Sequence, residues 1–158
     1  MALKPRPRIR LLYALIGMFI ATIGMGSARA TESLTKFRIV GDAIPVRLTG
    51  TPGDPQNGRR IATDPARGNC TICHAAPVSD IPVFGNLGPS LAGVASRLTE
   101  AQLRLRMVDA RRVNPQSIMP AYHSAQGLNR VPARYQGRPL LGAQEIEDIV
   151  AWLMTVRE

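Results

Sequence analysis

Cys70-Thr71-Ile72-Cys73-His74 contains both cysteines of the chain and one of its two histidines. The order C-x-x-C-H is the attachment signature of c-type haem. Each thiol adds across one vinyl group to form a thioether, and the next residue offers an imidazole to the iron. A bare C-x-x-C also fits a redox dithiol or half of a zinc site. The bland alternative is a local disulfide beside a solvent-facing histidine. A histidine directly after the second cysteine favours haem.

Upstream, the first thirty residues read as a secretory signal peptide. Lys4, Arg6, Arg8 and Arg10 form a basic start without acids, an apolar run covers 11–25, and Ala28-Arg29-Ala30 supplies a small-x-small cleavage pattern. The run is shorter than the ~20 residues of a spanning helix, with an uncleaved anchor as the alternative. Export places the thiols in an oxidising compartment, and covalent haem attachment takes place in the bacterial periplasm. The expectation is a periplasmic protein with no membrane span once the signal is removed. Residues 1–30 contain five bases and no acid, so their loss lowers the formal charge from +9 to +4. The high pI therefore belongs largely to the signal, and no nucleic-acid partner is expected.

The remaining 31–158 has the length of one domain. Residues 31–52 show no helical period and read as an irregular N-terminal arm, either a partner-contacting extension or a loosely ordered tail. The expected haem domain covers 53–158. Asp54-Pro55 is an N-cap followed by proline at the first helical position, and Asp64-Pro65 closes that helix. Gly58 inside it costs ~0.5–1 kcal/mol relative to Ala, which signals close approach of another backbone or ring. We pair it with Trp152, as a crossing of the first and last helices. Residues 75–93, rich in proline and glycine, form a long loop of the kind that wraps something. Thr99 and Gln102 make a capping box for a helix reaching about Arg112. Asn114-Pro115 stops it, and 123–141 is irregular. A final helix starts near Ala143 with Ile146, Ile149, Val150 and Leu153 as its apolar stripe. Nothing alternates long enough to build a sheet, so the expected class is all-α. The chain has seven aromatic rings in all, and so sparse a core gains from a bulky cofactor.

His74 reaches iron from one side only. A soft thioether is a common second ligand and raises the potential. Met107 and Met154 lie on or beside apolar helical stripes and read as core. Met119 sits in a loop between Pro115 and Pro120, where an apolar side chain has no periodic reason to be, and is the expected ligand. His123 is the alternative, giving bis-histidine ligation, although a surface position in a turn suits it better. Arg104, Arg106, Arg111 and Arg112 gather around one helix, either to steer an acidic partner or as a solvated face. Arg97 is a candidate partner for a haem propionate.

The motif at 70–74, Gly88-Pro89-Ser90-Leu91 and Met119-Pro120, set between terminal helices, resembles the class I cytochromes c. More narrowly, Arg67 to Cys70, Gly85 to Leu91, Leu103 to Asp109, Asn114 to Tyr122 and Glu145 to Leu153 resemble the SoxX subunits of bacterial SoxAX complexes. The similarity runs over roughly 53–157. It implies a class I cytochrome c fold of few helices and long loops around one covalently bound haem c. It also implies Cys70 and Cys73 as thioethers and His74 and Met119 as axial ligands. The Pro89 carbonyl would accept the imidazole N–H, and Leu91 would wall the haem face. The implied partners are a SoxA-like cytochrome in a heterodimer, a SoxYZ-like carrier protein reached through the complex, and a downstream electron-acceptor cytochrome. The complex as a whole conjugates thiosulfate oxidatively to a carrier cysteine, an L-cysteine S-thiosulfotransferase activity. Gly142 departs from the expected pattern, since Ser or Thr would cap the last helix better.

With both thiols consumed as thioethers, the chain retains no cysteine for a persulfide and shows no acid–base pair. No catalytic residue is assigned to it. The reading is an electron-accepting subunit that is not catalytic alone. A freestanding periplasmic carrier cytochrome is the alternative, and a thioredoxin-like dithiol protein is opposed by the missing βαβ pattern.

Overall fold

The computed structural model describes residues 33–157, so the signal-peptide reading of 1–30 lies outside the described residues. Four α-helices carry the domain: α1 Pro55–Thr63, α2 Val94–Arg97, α3 Glu100–Asp109 and α4 Ala143–Leu153. Tight 3-10 turns occur at Cys70–Ile72, Ala110–Arg112 and Ala133–Tyr135. Among the described residues the only β pairing is an isolated antiparallel bridge, Val40 with Ala43. The all-α expectation holds. Among the same residues, no helix is long and apolar enough to cross a membrane.

α1 begins where the Asp54 carboxylate accepts from the amides of Gln56 (2.8 Å) and Asn57 (3.2 Å), with Pro55 at the first helical position. Its buried face, Ile61 and Ala62, meets Ile146, Ile149 and Val150 of α4 in one apolar core. Fully burying a side chain of this size contributes ~1.5–3 kcal/mol. Gly58 is where the helices cross: a Cβ there would press into the Asp148 carbonyl and lie 2.8 Å from the Ile149 amide nitrogen. The closest atoms are thus α4 backbone, and the expected indole against the missing side chain is not what Gly58 serves. The Asp148 carboxylate locks the crossing, accepting from the Asp54 amide (2.9 Å) and the Asn57 side chain (2.6 Å).

α3 opens with the anticipated Thr99–Gln102 capping box. It ends at Asp109 and tightens into the 3-10 turn, one turn earlier than the sequence suggested. Leu103, Leu105, Met107 and Val108 are buried against the core, so Met107 is core as expected. At α4, Gly142 supplies no side-chain cap, and the Glu145 carboxylate accepts from the Gly142 amide at 2.9 Å instead.

The arm is irregular but not loose. Ile44 is 1% exposed and its amide donates to the Ala101 carbonyl at 3.0 Å. The Leu48 amide donates to the Glu147 carboxylate at 2.8 Å. The arm thus packs on α3 and α4, and is not the loosely ordered tail that was one of its two expected readings.

Candidate functional site

Asn69, in the left-handed conformation with φ 48°, turns the chain into the 3-10 segment that carries Cys70, and the Gly68 amide ties this turn to the end of α1 at Ile61 O (3.0 Å). The His74 amide donates to the Cys70 carbonyl at 3.0 Å, so Cys70, Cys73 and His74 share one compact turn. Both thiols are free rather than joined in a disulfide. Burial pushes the Cys70 thiol up to about 11, opposed by a backbone hydrogen bond and reinforced by the adjacent Cys73.

The loop after the motif folds back over it, one rung after another. The amides of Gly85, Gly88 and Leu91 donate to the carbonyls of Thr71, Cys73 and Ala75 at 2.9, 2.8 and 2.8 Å. Glycine is required at two rungs by proximity: a Cβ on Gly85 would run into the Ile72 carbonyl, and one on Gly88 would strike the His74 ring, 2.6 Å from Nδ1 and 2.7 Å from Nε2. The imidazole therefore lies flat against the Gly88 backbone.

His74 Nδ1 is 2.6 Å from the Pro89 carbonyl oxygen. A carbonyl can only accept, so Nδ1 carries the proton and Nε2 keeps its lone pair. That is the tautomer a ligand histidine needs, and the hydrogen bond behind it fixes the ring's orientation. Leu91, like Cys70, Phe84 and Met119, is partly buried against the core. Met119 is half-buried in its loop, its amide accepted by Ser117 Oγ at 3.2 Å. The Tyr122 hydroxyl, three residues on, donates to the Gly68 carbonyl at 2.7 Å. Its pKa is raised by burial first and then by Cys70 and Cys73, as expected of a phenol beside the thiols. The Met119 loop and the cysteine turn are thereby fastened together.

His123 is 0% exposed, so its expected surface position is corrected. Its Nδ1–H donates to the Leu141 carbonyl at 2.8 Å, and Nε2 accepts from the Thr35 amide at 3.1 Å. With both nitrogens used, His123 has no lone pair for a metal. The bis-histidine alternative loses its donor.

The arginine run is also internally committed. Arg104 is buried on Glu147 and Glu100, Arg106 and Arg111 pair with Asp42 and Asp109, and Arg112 reaches Asp109 and the Gln126 side chain. Each of the four thus has an acidic partner, although Arg111 and Arg112 share Asp109 and stay partly exposed.

The cytochrome c family model matches residues 55–157. A chain of the structure titled "Crystal structure of SoxXA from P. pantotrophus" is 36% identical, with a TM-score of 0.73, over 80% of this chain and 98% of that one. This protein belongs to the cytochrome c family, as a SoxX-type subunit. A search of curated proteins gave no match.

A cytochrome of this family carries covalent haem c, and the residues fit one. The turn presents two unpaired thiols beside an imidazole whose outer nitrogen is already proton-donating to Pro89. Gly88 leaves the ring a flat seat, and Leu91 and Met119 offer apolar faces from the same core. One contributor, Tyr122, was not singled out from the sequence, and Arg97, read there as a propionate partner, donates instead to the Ser90 and Ala92 carbonyls. The signal for Tyr122 was its place within the Asn114 to Tyr122 block.

Proposed function

We propose that Cys70 and Cys73 hold haem c through thioethers, that His74 Nε2 and Met119 Sδ are its axial ligands, and that Pro89 and Leu91 shape its surroundings. The haem supplies a reversible one-electron centre. This chain's residues set its properties: the Pro89 carbonyl strengthens His74 as a donor, and a thioether on the other side raises the potential. The 2.6 Å contact of His74 Nδ1 with Pro89 O, beside two free thiols, is the observation that carries the reading.

As a SoxX-type subunit the protein transfers electrons. We place it in a periplasmic heterodimer with a SoxA-like cytochrome. Electrons released when thiosulfate is joined to a carrier-protein cysteine on a SoxYZ-like protein pass through it to a downstream cytochrome. Thioether formation uses both thiols of the chain, so the sulfur-bearing site belongs to the partner and this subunit has no catalytic residue of its own.

Co-expression with a SoxA-like cytochrome tests the assignment. A stable one-to-one complex, reduced at haem when thiosulfate and the carrier are added, is the expected result. A soluble monomer that ignores the partner marks a freestanding carrier instead. A pyridine haemochrome assay without covalent haem overturns both.

A further inference from the structure

We propose that Arg97 is the positioning residue that holds the Pro89 carbonyl on His74. The inference deepens the reading of His74 as an axial ligand and rests on it. Arg97 Nη2 donates to the Ser90 carbonyl at 2.8 Å and Nη1 to the Ala92 carbonyl at 2.6 Å. One planar guanidinium thus clips the backbone on both sides of Leu91, whose own amide is taken by Ala75 at 2.8 Å. Backbone groups of residues 90, 91 and 92 are all anchored.

The Pro89 carbonyl belongs to the peptide plane joining residues 89 and 90. That plane turns about ψ of Pro89 and φ of Ser90; the pyrrolidine ring fixes only the preceding φ, and the Ser90 carbonyl just beyond the plane is clipped by Arg97. A swing of the plane must work against the clipped Ser90 carbonyl, and its oxygen lies 2.6 Å from Nδ1. The clip is itself mounted rigidly. α2, which carries Arg97, is bolted to the C-terminal segment by Ala95 N to Val156 O (3.0 Å) and Ser96 Oγ to Arg157 O (2.9 Å). Arg97 was expected to meet a haem propionate. Here the donors that would do so are turned onto backbone.

Lysine retains the charge but cannot span two carbonyls as a fork does, so charge and geometry separate experimentally. Losing the clip loosens the Pro89 hydrogen bond, weakens His74 as a donor and raises the potential. Losing a positive charge near the haem lowers it.

The test uses the haem-loaded protein with Arg97→Lys and Arg97→Gln. It reads solvent exchange of the hyperfine-shifted His74 Nδ1–H resonance and the midpoint potential. Exchange should accelerate on the order of fivefold in both variants, as loss of charge-assisted hydrogen bonds permits, with an upward potential shift in Arg97→Lys. Wild-type exchange in Arg97→Lys overturns the clip, as does a potential that falls only in Arg97→Gln, which marks a charge effect. If the wild-type protein shows no hyperfine-shifted His74 resonance, the ligand assignment fails and takes the clip with it.

Discussion

The Arg104 guanidinium and the Glu147 carboxylate meet two-to-two in the interior. Nε lies 2.7 Å from Oε1 and Nη2 lies 3.0 Å from Oε2, with the residues 1% and 2% exposed. Each partner also holds the arm: Arg104 Nη1 donates to the Ile44 carbonyl at 2.8 Å, and Glu147 accepts from the Leu48 amide. Burial disfavours the Arg104 cation, and the hydrogen bonds and charge of Glu147 and Glu100 outweigh it, so its pKa is raised. Removing Arg104 leaves the buried Glu147 carboxylate without a counter-charge, and removing Glu147 leaves the buried guanidinium with only the partly exposed Glu100.

Arg104→Ala and Glu147→Ala should therefore each lower stability by ~3–5 kcal/mol. The double variant should cost much less than the sum. Urea denaturation of the four proteins measures this, and additive losses would refute the coupling. Limited proteolysis should cut within 33–52 in the single variants before it cuts elsewhere.

Glu100 joins the same network at its edge, accepting from Arg104 and, at 3.2 Å, from Arg47. Partial burial pushes its carboxyl up, yet the two arginines prevail and hold it below the ordinary 4.5. The folded protein thus binds this proton less tightly than the unfolded chain. Its contribution is complete above about pH 4.5 and fades as pH falls through the lower folded value. Glu100→Gln should reduce the urea midpoint at neutral pH and match wild type in acid. A constant gap across pH would show that packing, and not charge, is responsible. Partial exposure makes the effect small.

Met119→Ala should abolish the red charge-transfer band of methionine-ligated ferric haem and lower the potential. His123→Ala should leave that band intact. It strands the Thr35 amide and the Leu141 carbonyl instead, at about 1–3 kcal/mol for each buried group left unsatisfied. Loss of the band in His123→Ala, with survival in Met119→Ala, would reverse the ligand assignment.

Gly58→Ala ought to stabilise an isolated helix by ~0.5–1 kcal/mol. Here the sign inverts, because the new Cβ collides with the α4 backbone at Asp148. Overpacking of this kind costs ~1–3 kcal/mol or more. A thermal melt decides it: a variant at least as stable as wild type would mean that the helices separate freely.

Local chemistry made much of this molecule legible in the sequence. The cap at Asp54, the box at Thr99 and Gln102 and the C-x-x-C-H turn each act within a few residues, and each stands where expected. What escaped depends on partners far along the chain. Leu48 meets Glu147 across 99 positions and Thr35 meets His123 across 88, so a segment without periodicity became part of the core. The arginines looked like a surface stripe because the acids that bind Arg104 and Arg106 lie on the arm, at the start of α3 and on α4. His123 looked exposed because a turn usually is; burial required two backbone partners that no local pattern announces.

The hydroxyl of Tyr122 on the carbonyl of Gly68 fastens the methionine side of the pocket to the cysteine side. An electron-transfer centre works fastest when its surroundings hardly move between oxidation states. With the proposed ligands on the two loops so joined, displacement of either loop works against this bond. The tie therefore keeps the nuclear rearrangement of each electron hop small.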